Sequence, residues 1–318
     1  MRSTVTGLHH VTALAGDAQP NVDFYAGILG LRLVKRTINF DAPDVHHLYY
    51  GDELGSPGSI MTFFPYEGLA RGRRGKGQLT VTMFSIAEGS IDHWMRRLEK
   101  WKVPFKPPQV RFGDEVFISF EDPDGLGLEL VANRADEREG NGKGPVAREH
   151  SIKGFHGITL SEDRPEITAG LLTEHLDHKA VGEASDRFRF STTGSPGTIV
   201  DIVCSPSEMR GLAGSGTVHH VAFSTPDTTA QSALRDRLLS AGLQVSPVMD
   251  RQYFRSIYFR EPGGVLFEVA TVPPGFSVDE PAESLGSKLK LPSWIEPQRS
   301  RIEKALSPVA FDRSKYTD

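Results

Sequence analysis

Apolar and polar positions along the chain follow one order that recurs four times. The first stretch reads GLHHVTAL, NVDFYAGILG, LRLVKRTINF, HHLYYGD and SPGSIMTFFP. Its alternating segments predict strands, and Val22, Tyr25, Ile28 and Leu29 share one face of a short helix after the first strand. The second stretch repeats the order as GQLTVTMFSI, SIDHWMRRLEKW, PFKPPQVRF, DEVFISFEDP and DGLGLELVAN. The third runs KGFHGITLSE, RPEITAGLLTEHL, DHKAVGEA, DRFRFSTT and SPGTIVDIVC, and the fourth GTVHHVAFST, DTTAQSALRDRLLSAG, LQVSPVMD, YFRSIYFREP and GGVLFEVATV. Each closing strand follows a turn signal: SPG, DPDG, SPG or EPGG. The pattern predicts four βαβββ modules at 1–67, 78–134, 150–206 and 215–273, and a tail at 274–318. One module cannot bury its own sheet face, so modules should pair. The expected fold class is α+β, with two paired, curved mixed sheets.

The connections carry a different composition. Residues 68–77, GLARGRRGKG, read as a solvated, mobile linker or as an anion-recognising loop; 133–149, charged and glycine-rich, divide the chain near its middle. In the tail, PSWIEPQRSRIEKAL predicts a capped helix with Ile302, Leu306 and Ile295 on one face, packed over a barrel or a subunit contact.

Composition narrows the function classes. The 318 residues carry a net charge of −5, which argues against nucleic acid or an anionic membrane as partner. No apolar run approaches a membrane span and the opening MRSTVTGLHH has no apolar signal core, so the expectation is a cytoplasmic protein. A single cysteine, Cys204, excludes intramolecular disulfides and thiolate clusters, and leaves the eleven histidines as the main metal-binding reservoir. No phosphate loop, nucleophile elbow or dinucleotide fingerprint is present.

Aligning the modules on their own pattern isolates the chemistry. The first strands of the four modules place His10, Thr80, Gly157 and His220 before the Val or Ile of HHV, LTV, HGI and HHV. Four residues after the turn glycine, the last strands place Thr62, Glu129, Asp201 and Glu268. Pairing modules one and four collects His10, His220 and Glu268, with Thr62 fourth. Two imidazoles and one carboxylate on one face form the facial triad of non-haem Fe(II) oxygenases. The other pair, two and three, has no histidine at these positions and should be structural. In regular strands His9 and His219 face away from His10 and His220 and serve as hydrogen-bonding or packing neighbours. His46 and His47 read as structural, and His156 aligns with His9.

These repeats, the strand-one histidines and the closing D/E-P-x-G-x-x-x-E pattern resemble the vicinal oxygen chelate superfamily, which includes extradiol dioxygenases, glyoxalase I and antibiotic-resistance proteins. GLHHVT, RGRRGKGQ, VHHVAF, FREPGGVLFEVAT and PSWIEPQR are similar to the ring-cleaving branch of the hydroquinone 1,2-dioxygenase type. The resemblance implies metal ligands at His10, His220 and Glu268, with Fe(II) or Mn(II) as cofactor. It implies a catalytic tyrosine and arginine near the metal at Tyr258 and Arg251, and a supporting residue at Thr12. A one-residue hairpin slip would turn Tyr258 outward. The function so implied is extradiol-type opening of a hydroquinone- or catechol-type ring with O2, in a protein that forms no nucleic-acid or membrane complex and is open to homo-oligomerisation. A metal-dependent glyoxalase-like isomerase, a metal-free resistance-type binding protein and a purely structural barrel are the competing readings.

Overall fold

The computed structural model describes residues 4–317. Module one comprises β1 (Gly7–Ala15), α1 (Ala18–Val22) running into a π turn (Asp23–Ile28), β2 (Arg32–Asn39), β3 (Ala42–Gly51) and β4 (Ile60–Pro65). Module two comprises β5 (Gln78–Ile86), α2 (Ile91–Lys100), β6 (Gln109–Arg111), β7 (Glu115–Glu121) and β8 (Gly127–Ala132). Module three comprises β9 (Gly154–Glu162), α3 (Pro165–His175), β10 (Lys179–Ala184), β11 (Arg187–Ser191) and β12 (Ile199–Cys204). Module four comprises β13 (Thr217–Thr225), α4 (Thr228–Ser240), β14 (Met249–Asp250), β15 (Arg255–Arg260) and β16 (Leu266–Thr271). The tail carries α5 (Arg299–Ala305). Two predicted strands are cut short. Pro104, Pro107 and Pro108 before β6, and Pro247 before β14, have no N–H for a ladder.

Each module places its first and last strands side by side and parallel. One eight-stranded sheet has the order β14-β15-β16-β13-β1-β4-β3-β2, so it is built from modules one and four. The other, β10-β11-β12-β9-β5-β8-β7-β6, is built from modules two and three. Antiparallel pairs β1–β13 and β5–β9 join the modules within each sheet. Val11, Phe63, Phe84, Ile158, Phe223 and Phe267 belong to one buried core that spans both sheets.

The joining strands are not regular, and this corrects two expectations. In β1–β13, Leu8 pairs with Phe223 and His10 with Ala222, leaving His9 as an extra residue; Thr12 pairs with His220 and Ala13 with Val218, leaving His219 extra. The same pair of bulges recurs in β5–β9 at Thr80 and His156. A bulge breaks the alternation, so His9 and His219 do not point away but lie beside His10 and His220. It also shifts the module alignment. Met83 pairs with Glu129 as Ala222 pairs with Glu268, so the counterpart of His220 in module two is Val81, not Thr80. The turn glycines hold the bulges: Gly58 N–H donates to the His9 carbonyl and Gly197 N–H to that of His156, both at 2.9 Å. Their φ values of 84° and 81° suit glycine alone among unstrained residues.

The segment 68–77 is not a free linker. It runs against the connection between modules three and four: Gly72 N–H donates to Ser215 O and Arg73 N–H to Leu212 O, each at 2.9 Å. Both connections cross between the sheets at one place, where their backbone groups satisfy one another. In the tail, Leu291, Ile295 and Ile302 pack over Ile38, with Leu306 and Phe40 alongside. The helix α5 has no side-chain cap; a 3-10 turn at Glu296–Gln298 leads into it.

At the end of β9, Glu162 is 1% exposed and its Oε1 has no hydrogen-bond partner. Burial, then the nearby Glu261 and Asp163 carboxylates, push its carboxyl up to about 8. An unfolded Glu titrates near 4.3, so this residue's contribution is intact below about pH 4 and is lost progressively as pH rises through 8. Glu162→Gln is therefore expected to raise the thermal midpoint at pH 8–9 and leave it unchanged near pH 4. Thermal unfolding across that range checks this.

Candidate metal centre

His10, His220 and Glu268 converge on the concave face of the first sheet. His10 Nε2 lies 3.2 Å from His220 Nε2, and Glu268 Oε2 lies 3.3 Å from the first and 3.0 Å from the second. Strand pairing causes this: β1 and β13 are neighbours, and β16 runs parallel to β13 with Glu268 opposite Ala222. All three side chains are buried. Burial alone would raise the Glu268 carboxyl, but the two facing imidazoles outweigh it and hold the group well below the usual carboxylate range. Burial also lowers His220, so its imidazole stays neutral.

The donor set fits a divalent transition-metal ion. Bonds of about 2.1 Å at roughly right angles keep donors about 3.0 Å apart, the spacing found here. Glu268 Oε1 accepts from Ser256 Oγ, whereas Oε2, aimed at the two imidazoles, accepts no hydrogen bond of ordinary geometry. An ionised, buried oxygen of this kind calls for a cation. His10, His220 and Glu268 would hold that ion.

The neighbours complete the set. His9 Nδ1 is 2.9 Å from His10 Nδ1, and His219 Nδ1 is 2.7 Å from His220 Nδ1, so each bulged histidine orients the remote ring nitrogen of a candidate ligand. Burial lowers His9 to about 3 and His219 to about 4. Thr12 accepts from Thr62 Oγ1 at 2.9 Å on the same face. Tyr258 pairs with Glu268 across β15–β16 and lines the cavity, so it faces inward. Its hydroxyl accepts from Arg251 Nε at 3.1 Å, and burial, then Glu268, raise its pKa. Arg251 also meets Asp41 at 3.3 Å. The cavity above the three candidate ligands has a volume of about 500 Å³, with Leu14, Phe64, Met249, Phe254 and Leu266 among its apolar walls.

His47, read from the sequence as structural, lines this cavity too. Its Nε2 lies 2.8 Å from Thr62 Oγ1 and its Nδ1 2.9 Å from the Tyr49 hydroxyl. Thr62 donates to Thr12. The network thus assigns a chain in which Tyr49 donates to His47, His47 to Thr62, and Thr62 to Thr12. The repeat held a signal for these residues. Tyr49 pairs with Thr62 as Tyr258 pairs with Glu268, and His47 precedes Tyr49 by two residues as Ser256 precedes Tyr258. His46 points outward and bonds the Ser307 carbonyl at 2.8 Å.

The second sheet treats the equivalent place differently. Arg111 bridges Glu129 and Glu115, Arg189 bridges Glu115 and Asp201, and Arg187 reaches Asp201. Guanidinium groups fill the position where the first sheet gathers imidazoles.

Paired βαβββ modules whose shared sheet carries two histidines and a glutamate on its concave face define a glyoxalase-type fold with a candidate metal centre. The chain belongs to the Glyoxalase/Bleomycin resistance protein/Dioxygenase superfamily, whose family model matches residues 7–130 and 135–269. It is 45% identical over 308 residues to MhqO of Bacillus subtilis (strain 168), provisionally named a ring-cleaving dioxygenase, covering 97% of this chain and 98% of that one. It is 36% identical over 313 residues to the chlorohydroquinone/hydroquinone 1,2-dioxygenase of Sphingobium indicum, covering 95% of this chain and 96% of the relative. A crystal structure of a provisionally named dioxygenase from Bacillus subtilis superposes with a TM-score of 0.93 at 45% identity, over 98% of this chain and 99% of that one. Glyoxalase I from Zea mays shares the fold, with a TM-score of 0.62 at 16% identity over 83% of this chain and 92% of that one.

Metal analysis of the purified protein should find about one divalent ion per chain, and His220→Ala should lose nearly all of it. Removing Ser256, the hydroxyl that orients Glu268, should weaken metal affinity by about 10–100-fold. Stoichiometric metal retained in His220→Ala would falsify the ligand set.

Proposed function

We propose that the protein is an Fe(II)-dependent, extradiol-type ring-cleaving dioxygenase for a hydroquinone- or catechol-type aromatic, with Mn(II) as the alternative metal. The facial His10–His220–Glu268 set at the base of an apolar, aromatic-walled cavity carries this reading. The similarity to a hydroquinone 1,2-dioxygenase supports a hydroquinone as the first substrate to test. In a hydroquinone the hydroxyls are para, so opening a bond beside one of them is the extradiol sense of cleavage. Both oxygen atoms of O2 enter the product, and no external reductant is needed.

Iron held by these ligands supplies the one-electron chemistry that lets an electron-rich ring react with O2, which redox-silent zinc cannot. The chain's own residues do the rest. Leu14, Phe64, Met249 and Leu266 hold the ring and exclude water. Tyr258 keeps its proton because burial disfavours the phenolate, and with Arg251 donating to its oxygen the hydroxyl is free to donate into the cavity. Arg251 places a cation beside the cavity where an ionised hydroxyl or a product carboxylate forms. On the opposite wall, burial disfavours the protonated form of His47, so the neutral ring works as a hydrogen-bond relay that accepts from Tyr49 and donates to Thr62, which in turn donates to Thr12.

The test is oxygen uptake by Fe(II)-reconstituted protein with hydroquinones, catechols and a thiol–methylglyoxal adduct. Uptake with a diol, and two labelled atoms in the product from labelled O2, is the expected result. Isomerisation of the adduct without uptake would assign a glyoxalase-like enzyme, and diol binding without turnover a sequestering protein. Tyr258→Phe should keep its metal and lose about 10²–10⁴-fold in turnover with the best diol. Unchanged turnover would reduce Tyr258 to strand packing.

A further inference from the structure

The first sheet is open: β2 and β14 are its edges, and they do not hydrogen-bond to each other. Two polar clasps span the opening. Beside the cavity, Asp41 after β2 meets Arg251 after β14 at 3.3 Å. Six residues earlier on β2, the fully buried Lys35 donates to Asp279 Oδ1 at 2.6 Å, to Phe276 O at 3.2 Å and to Glu280 Oε2. Its ammonium also lies 5.0 Å from the ring centroid of Tyr253. The Tyr253 hydroxyl donates to the other oxygen of Asp279 at 3.0 Å, and Gly275 N–H donates to Tyr253 O at 2.9 Å. Residues 275–280 of the tail therefore tie β2 to the turn that precedes β15.

That turn carries Phe254, whose ring centroid lies 5.0 Å from those of both His9 and His10. Phe276, from the same tail segment, lies 5.1 Å from Tyr49. A buried lysine with two carboxylates is a costly way to fill space, since apolar residues of similar volume pack as well or better. What charged hydrogen bonds add is direction. Here the direction runs from Lys35 through Asp279 and Tyr253 to the aromatic ring that backs a candidate ligand.

We propose that residues 275–280 are part of the metal centre, with Tyr253 as a positioning residue: the Lys35–Asp279–Tyr253 clasp holds Phe254 against His10 and fixes the angle at which that imidazole meets a metal ion. The inference rests on the metal-binding reading above and goes beyond it by giving the tail a role in the site.

Tyr253→Phe is the deciding variant, because it keeps the ring and removes only the bond to Asp279. Co(II) is titrated into the metal-free full-length protein, following its visible absorption band, and the thermal midpoint is measured separately. The expected result is a Co(II) dissociation constant raised about tenfold or more with a shifted band, and a thermal midpoint close to that of wild type. A variant that removes all three charges together, Lys35→Met with Asp279→Asn and Glu280→Gln, should show the same loss without leaving a buried charge unpaired. Wild-type affinity and an unshifted band in Tyr253→Phe, whatever its thermal midpoint, would overturn the proposal and leave the clasp as stabilisation only. If wild-type protein shows no Co(II) binding that His220→Ala abolishes, the metal-binding reading itself fails.

Discussion

The antiparallel pairing of β1 with β13 is the constraint on which the rest depends. It brings His10 and His220, 210 positions apart in the chain, to 3.2 Å. No local element could do this; it takes two modules sharing a sheet, with the turn glycine Gly58 holding the bulge at His9. Each bulge has a second effect. By placing an extra histidine beside a candidate ligand, it engages that ligand's Nδ1 and leaves Nε2 aimed at the centre.

The two sheets give opposite answers to one electrostatic problem. Both bury carboxylates at equivalent positions, and a buried charge must be compensated. In the second sheet Arg111, Arg187 and Arg189 compensate Glu129, Glu115 and Asp201 with cations from the chain itself. In the first, no Arg or Lys among the described residues forms an ion pair with Glu268; two imidazoles and one hydroxyl surround it. The arginine-filled second sheet is complete as it stands, whereas the first sheet's buried carboxylate invites an ion from outside.

Within the first sheet the two modules are related in pattern but not in chemistry. Thr62 stands where Glu268 stands, and His47 where Ser256 stands. One half therefore offers a candidate-ligand carboxylate oriented by a hydroxyl, and the other a hydroxyl chain that ends on a cavity-lining imidazole and Tyr49. A symmetric pair would have made two identical half-sites. The divergence leaves an anionic carboxylate on one wall and a neutral hydrogen-bonded chain on the other.

Much of this was legible in the chain. The period-two and period-3.6 segments specify strand or helix locally, and the turn signals repeat at fixed places, so the module order and the candidate-ligand positions His10, His220 and Glu268 can be read directly. Bulges cannot. They arise from how two strands meet, and with them came the facing of His9 and His219 and the one-residue displacement from Thr80 to Val81. The inward turn of Tyr258 depends on its register with Glu268, and a slip of one residue would reverse it. His47 looked ordinary because one strand does not reveal which of its faces is concave. The segment 68–77 looked mobile because its partners lie in another connection about 140 residues away, and the tail's tie to Lys35 could not be read because Lys35 is far from Asp279 in sequence. Local pattern determines what each segment is, and the matched histidine and carboxylate positions point to modules one with four and two with three; the register in which their strands meet, and what the side chains then face, is decided only when sheet pairing brings distant residues together.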